Sequence, residues 1–176
     1  MARGPTVGVF TRSGRISRGK ARFSNIVSPW TQESQKRLNA VFRLSTQRII
    51  EVMQRTDAEG GYLPYKDGFL RASLVVLVNK NAPAPDKTQA DSSNTYNPAE
   101  IQLAIASAVA GDRIVAAYTM EYARRLEFGF VGVDSLGRSY NQPGIGWTAK
   151  ATQQWRQIVA EVEQEAMARV ASRNQG

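Results

Sequence analysis

The chain has 176 residues, 42% of them apolar, and a formal net charge of +8, a size that suits one domain with a single core and room for an arm. Cysteine and histidine are absent, which excludes disulfides, thiolate nucleophiles, Cys/His zinc sites and every Ser-His-Asp arrangement. No run of about 18 apolar residues occurs, so no transmembrane helix and no membrane partner are expected.

Residues 1–27 are rich in Gly, Ser, Arg and Lys. Arg3, Arg12, Arg15, Arg18, Lys20 and Arg22 fall within residues 1–30 with no acid among them, so six of the eight net charges sit there and the remaining residues are close to neutral. There is no apolar signal-peptide core, although an Arg-rich, acid-poor start also fits a transit peptide. The composition predicts an extended basic arm over 1–27 that orders on a partner. Ser28-Pro29 then resembles an N-cap followed by proline at the first helical position. Leu38, Val41, Phe42, Ser45, Ile49, Val52 and Met53 keep 3–4 spacing, which predicts one amphipathic helix over about 29–55.

Beyond Gly60-Gly61, a connector through Tyr62-Leu63-Pro64-Tyr65 leads to Asp67-Gly68-Phe69-Leu70-Arg71-Ala72-Ser73. This turn feeds the apolar run Leu74-Val75-Val76-Leu77-Val78. A strand apolar on both faces needs two covers, so either the chain supplies both or a partner supplies one. Residues 80–99, with Pro83, Pro85 and Pro98, predict an unusually long loop, of a length that is functional or disordered. Ile101, Leu103 and Ile105 alternate with smaller residues, and Gly111-Asp112 marks a turn before Ile114–Tyr118. The β-branched residues on both limbs favour a hairpin with strands near 101–109 and 113–119. An alanine-rich helix over 99–110, opened by Asn97 and Pro98, is the alternative.

Met120–Phe128 reads as short helical or irregular sequence. Gly129, Gly132, Gly137, Gly144 and Gly146 then punctuate a turn-rich loop. Trp147, Ala151, Trp155, Ile158, Val162 and Ala166 have helical spacing and predict a second long helix over about 147–172. The expected fold is α+β, a small antiparallel sheet packed by two long helices with an extended basic N-terminal arm. Open sheet edges in so small a sheet invite pairing with another copy.

Chemistry is sparse. Gly144-x-Gly146 lacks the third glycine and the βαβ unit of a dinucleotide site and reads as a helix entry. Glu161, Glu163 and Glu165 diverge on a helix and read as a solvated face. Glu121 and Glu127 are acid/base candidates by type. Arg124 and Arg125 beside Glu127 argue instead for an ion-paired or hydrogen-bonded carboxylate. No catalytic residue, metal ligand or cofactor site is expected. Trp147 and Trp155 read as core, with a contact to another chain as the sharper alternative.

Two segments carry a family resemblance. One is Asp67-Gly68-Phe69-Leu70-Arg71-Ala72-Ser73. The other is Tyr122-Ala123-Arg124-Arg125-Leu126-Glu127-Phe128-Gly129, followed by Gln142-Pro143 before the last helix. In order and spacing they resemble the neck, or head–tail connector and tail-completion, proteins of tailed bacteriophages, over roughly residues 31–173. The departures are Asp67 and Phe130 where the family commonly has threonine, and Gly146-Trp147 where a second proline is usual. The arm and the 80–99 loop have no counterpart in that pattern.

The resemblance implies a structural virion protein rather than an enzyme. It would form a homo-oligomeric ring, six copies or twelve, at the head–tail junction, assembled in the host cytoplasm. Its partners would be other copies of itself, a portal, adaptor or head-closure protein on one side, and a tail terminator or tail tube on the other. Genomic double-stranded DNA would pass through the lumen. Gly68, Leu70, Arg71, Ser73, Tyr122, Glu127, Gly129, Trp147 and Trp155 become motif or interface candidates, with Arg71 and Glu127 a possible ion pair within or between subunits. A channel through which DNA slides is poorly served by fixed arginines. Arg12, Arg15, Arg18, Lys20 and Arg22 are therefore expected to dock on protein. A nucleic-acid-binding protein using the same arm is the alternative.

Overall fold

The computed structural model describes residues 18–88 and 92–173, in an α+β arrangement of helices and small antiparallel sheets. The chain divides into two compact units, residues 1–38 and 39–176.

The first helix, α1 (Arg18–Gln54), begins eleven residues before the predicted start, with Pro29 inside it. The extended arm expected over 1–27 is thus corrected for residues 18–27, and its first seventeen residues lie outside the described ones. Pro29 is not the first helical residue. The Thr31 hydroxyl donates to the Val27 carbonyl at 2.9 Å, and Glu33 pairs with Arg37 at 3.5 Å. Trp30 and Leu38 are both largely exposed.

In the second unit, a capping box closes the chain after α1. Thr56 Oγ1 accepts from the Glu59 N–H while the Glu59 carboxylate accepts from the Thr56 N–H, reciprocal bonds that satisfy two otherwise orphaned donors. Next comes α2 (Phe69–Ala72), a single turn closed by Ser73, so the expected turn into the strand is helical. Strand β1 (Leu74–Val78) follows directly and pairs antiparallel with β2 (Ile114–Tyr118), Leu74 opposite Tyr118 and Val78 opposite Ile114.

Between them, α3 (Pro98–Ala106) replaces the first limb of the expected hairpin. Asn97 Oδ1 accepts from the Ala99 N–H at 3.1 Å, and Pro98 occupies the first turn. Ile101 and Ile105, one turn apart, are both buried, and Leu103 is exposed. Alanine between branched residues fits a helix at least as well as a strand, and here the cap decides. The second limb is a strand, but its partner is β1.

The glycine-punctuated region holds α4 (Ala123–Phe128) and a separate hairpin, β3 (Gly129–Val133) with β4 (Ser139–Pro143). The single sheet expected is therefore, among the described residues, two two-stranded sheets. The last helix is also two, α5 (Trp147–Thr152) and α6 (Trp155–Arg173), separated where the Gln154 N–H bonds the Ala151 carbonyl in a tight i→i+3 turn.

The main core joins Ile49, Ile50 and Met53 of α1, Leu74 and Val76 of β1, Ile101 and Ile105 of α3, and Ala151, Ile158 and Val162 of α5 and α6. Helices α1 and α6 are cross-linked by Arg48, whose guanidinium donates to both Glu165 oxygens at 2.7 Å.

Candidate functional site

The segments that carry the resemblance meet around a second, smaller core of Leu63, Leu70, Met120, Ala123 and Trp147. Gly68 opens α2 with φ +84°, and a Cβ there would lie 2.9 Å from the Asn94 carbonyl oxygen. Both the backbone angle and the close approach demand glycine. The turn directs Leu70 into the core. Ser73 Oγ donates to the Leu70 carbonyl at 2.8 Å. The Ser73 carbonyl in turn accepts from the Thr119 N–H at 3.2 Å and from its hydroxyl at 3.1 Å. The Arg71 carbonyl accepts from Gln54 Nε2 at 3.1 Å. The turn is thereby fastened to the ends of β2 and α1.

The Arg71 guanidinium pairs with Glu59 Oε1 at 3.2 Å and lies 4.9 Å from the Tyr96 ring centroid. The Thr56 N–H, with a smaller contribution from Arg71, holds the Glu59 carboxyl below the usual carboxylate range. Arg71 and Glu127 do not pair within the chain. Glu127 is a buried carboxylate that reaches the start of α5. It accepts from the Thr148 N–H at 3.2 Å, the Ala149 N–H at 3.2 Å and the Thr148 hydroxyl. These are the orphan donors of a helix start, and a negative charge there is also favoured by the helix dipole. The hydrogen-bonded reading of Glu127 holds, with a partner 21 residues away.

Gly129 has φ +83°, and a Cβ on it would meet the Gln142 carbonyl oxygen at 2.6 Å and Gly144 N at 2.7 Å. The backbone crosses itself here, with the Ile145 N–H donating to the Leu126 carbonyl at 2.8 Å and the Gly146 N–H to the Glu127 carbonyl at 3.0 Å. That crossing delivers Trp147, fully buried, edge-on to Tyr118 with ring centroids 5.4 Å apart. The Tyr118 hydroxyl donates to the Met53 carbonyl at 3.2 Å, and burial raises its pKa, keeping it a neutral donor. Tyr122, half-buried, packs against the same core and lines a shallow cleft of about 290 Å³ with Asp67, Gly68, Leu70 and Arg71.

Of the candidates, Gly68, Leu70, Arg71, Ser73, Tyr122, Glu127, Gly129 and Trp147 fall in this neighbourhood. Trp155 does not. It is 37% exposed and borders a different groove. Arg12 and Arg15 lie outside the described residues, as do the side chains of Arg18, Lys20 and Arg22, which fall in α1. Sequence reasoning passed over Glu59, Tyr96, Thr119 and Thr148. Thr56-Asp57-Ala58-Glu59 has the spacing of a capping box and was legible; the other three meet the motifs only through long-range packing.

Chemically, the arrangement positions backbone. The carboxylate of Glu127 is used up on donors of its own chain, and no group of three or more acidic residues is placed to hold a metal ion among the described residues. No family model matches this chain, nor does any curated protein or solved structure.

Proposed function

We propose that the protein is a structural subunit of a tailed-phage neck. Copies form a homo-oligomeric ring, six or twelve, between the head side and the tail, with DNA passing through the lumen. The observation that carries this reading is the convergence of the two resemblance segments. The turn at Gly68–Ser73 and the Tyr122–Gly129 helix share one small core, and Glu127 caps the helix that Trp147 opens. Residues far apart in sequence are used together to fix backbone.

Native mass spectrometry and negative-stain microscopy of the purified full chain test the reading. Closed rings of six or twelve with an open centre are expected. A protein that stays monomeric at every concentration would overturn it.

One feature favours a second reading, the placement of six net positive charges in the first 30 residues. A nucleic-acid-binding protein using that segment would shift DNA in a gel in a salt-sensitive way. Deletion of residues 1–27 would abolish the shift. Under the ring reading that deletion leaves DNA binding weak before and after.

A further inference from the structure

The β3–β4 hairpin is a two-stranded ribbon with no third strand beside it among the described residues, and such a ribbon is marginal in water by itself. Its alternation separates two faces. Phe130 and Tyr140 occupy one, 6.0 Å apart, with the guanidinium groups of Arg125 and Arg138 stacked on their rings. Phe130 is half-buried there, and Tyr140 remains 36% exposed. Val131 and Val133 occupy the other, opposite Asn141 and Ser139, with Phe128 beside them in sequence and Leu136 at the turn; Val131, Val133, Phe128 and Leu136 are 79%, 61%, 77% and 75% exposed.

Together they offer on the order of 300 Å² of apolar surface. Patches of that size on a soluble chain commonly mark an interaction site. They also suffice for the apolar centre of a standard interface, in which each partner contributes about 800 Å². The tip carries little free charge. The Asp134 carboxylate accepts from the Leu136 and Arg138 N–H groups, both at 2.9 Å, and from the Arg138 guanidinium at 2.7 Å.

The same chain has a receptor of matching chemistry. An open groove of about 640 Å³ is lined by Ile49, Ile50 and Met53 of α1, Ile114 and Ala116 of β2, and Trp155 of α6. It opens onto the main core itself, and every residue of β2 is only half-buried. Its acid, Asp112, is engaged by the Val109 N–H at 2.7 Å and by Asn79 Nδ2 at 2.8 Å. Both surfaces are predominantly apolar, with Thr46, Thr148 and Thr152 the uncharged polar residues of the groove, and the carboxylates at each are hydrogen-bonded within the chain.

We infer that the Val131/Val133 face of the hairpin of one copy seats in the α1–β2–α6 groove of the next. Donor and receptor are different patches, so the contact is heterologous, and repeated by rotation it closes into a ring. The inference rests on the ring reading and names the surfaces that would make it.

The cysteine-free sequence makes the test direct. Val131→Cys and Thr152→Cys, the second on the rim of the groove, are purified separately, mixed dilute, concentrated and oxidised. A short bis-maleimide bridges the same pair if disulfide geometry is unfavourable. Covalent dimers are expected from the mixture and not from either variant alone. Val131→Ser with Val133→Ser, both on an exposed face, should leave the far-UV spectrum unchanged and raise the concentration for half-dissociation at least tenfold.

Cross-linking of Val131→Cys with itself, as efficient as in the mixture, overturns the inference in favour of hairpin-to-hairpin pairing. Rings that form without any mixed cross-link overturn it and leave the ring reading standing. A chain monomeric at every concentration overturns both.

Discussion

Glu127 shows how much one buried side chain can organise. Its carboxylate takes three donors from Thr148 and Ala149 and ties the end of α4 to the start of α5. Replacing it with alanine strands those donors and should cost about 2–3 kcal/mol, since hydrogen bonds to a charged group count for more than neutral ones. Glu127→Gln keeps one acceptor oxygen and should lose roughly half as much. Urea denaturation of the two variants measures this, and a loss below about 0.5 kcal/mol for alanine would remove Glu127 as the cap. The role of this residue was half legible. Arg124 and Arg125 beside it suggested a local ion-paired or hydrogen-bonded carboxylate; the bonds go instead to Thr148 and Ala149, which nothing in a linear reading names. The same holds for Arg71, whose partners Glu59 and Tyr96 come from opposite directions along the chain.

Elements were legible where periodicity and capping agreed, and illegible where a tertiary contact chose between two local options. The apolar run at Leu74–Val78 is a strand, and the 3–4 spacing through Met53 is a helix. Ile101–Ile105 suits either state, and the Asn97 cap and burial on the main core made it helical. The break at Gln153-Gln154 leaves no mark in the spacing of Trp147, Ala151 and Trp155, yet it leaves Trp147 buried and Trp155 at a groove. Pro29 was read as a start and lies inside α1. An interior proline removes one helix bond and clashes with the preceding turn at a cost of about 3 kcal/mol. Pro29→Ala should therefore raise helicity at 222 nm and slow amide exchange around residues 25–33. A proline at the first helical position would give no such gain.

The β3–β4 hairpin carries an acid-sensitive element. The Arg138 N–H, followed by the Arg138 guanidinium, holds the Asp134 carboxyl below its usual range. A carboxyl depressed in the folded state contributes fully above its unfolded value, about 3.9. That contribution fades as pH falls through the folded value. Protection of the Leu136 and Arg138 amides, taken relative to the intrinsic exchange rate at each pH, should thus fall selectively in acid, and Asp134→Asn should abolish the step.

At the scale of the whole molecule, two features could hold copies together, and they respond oppositely to salt. The basic segment carries six of the eight net charges and would dock through electrostatic contacts, which salt above physiological strength screens within a few ångströms. The hairpin and groove are apolar, and salt leaves their burial intact or strengthens it. Association also couples stability to concentration. Each tenfold rise in protein adds about 1.4 kcal/mol to the assembled state, and about 1 kcal/mol moves the melting temperature of a chain this size by roughly 2–4 °C. The unfolding midpoint should therefore climb by about 3–5 °C per tenfold concentration wherever dissociation accompanies unfolding. If the hairpin–groove contact dominates, that slope persists in 1 M salt and collapses in the Val131→Ser/Val133→Ser variant. If the basic segment dominates, it vanishes in 1 M salt and survives the double substitution. Differential scanning fluorimetry across concentration and salt separates the two, and a midpoint independent of concentration under all conditions would mean that the chain works alone.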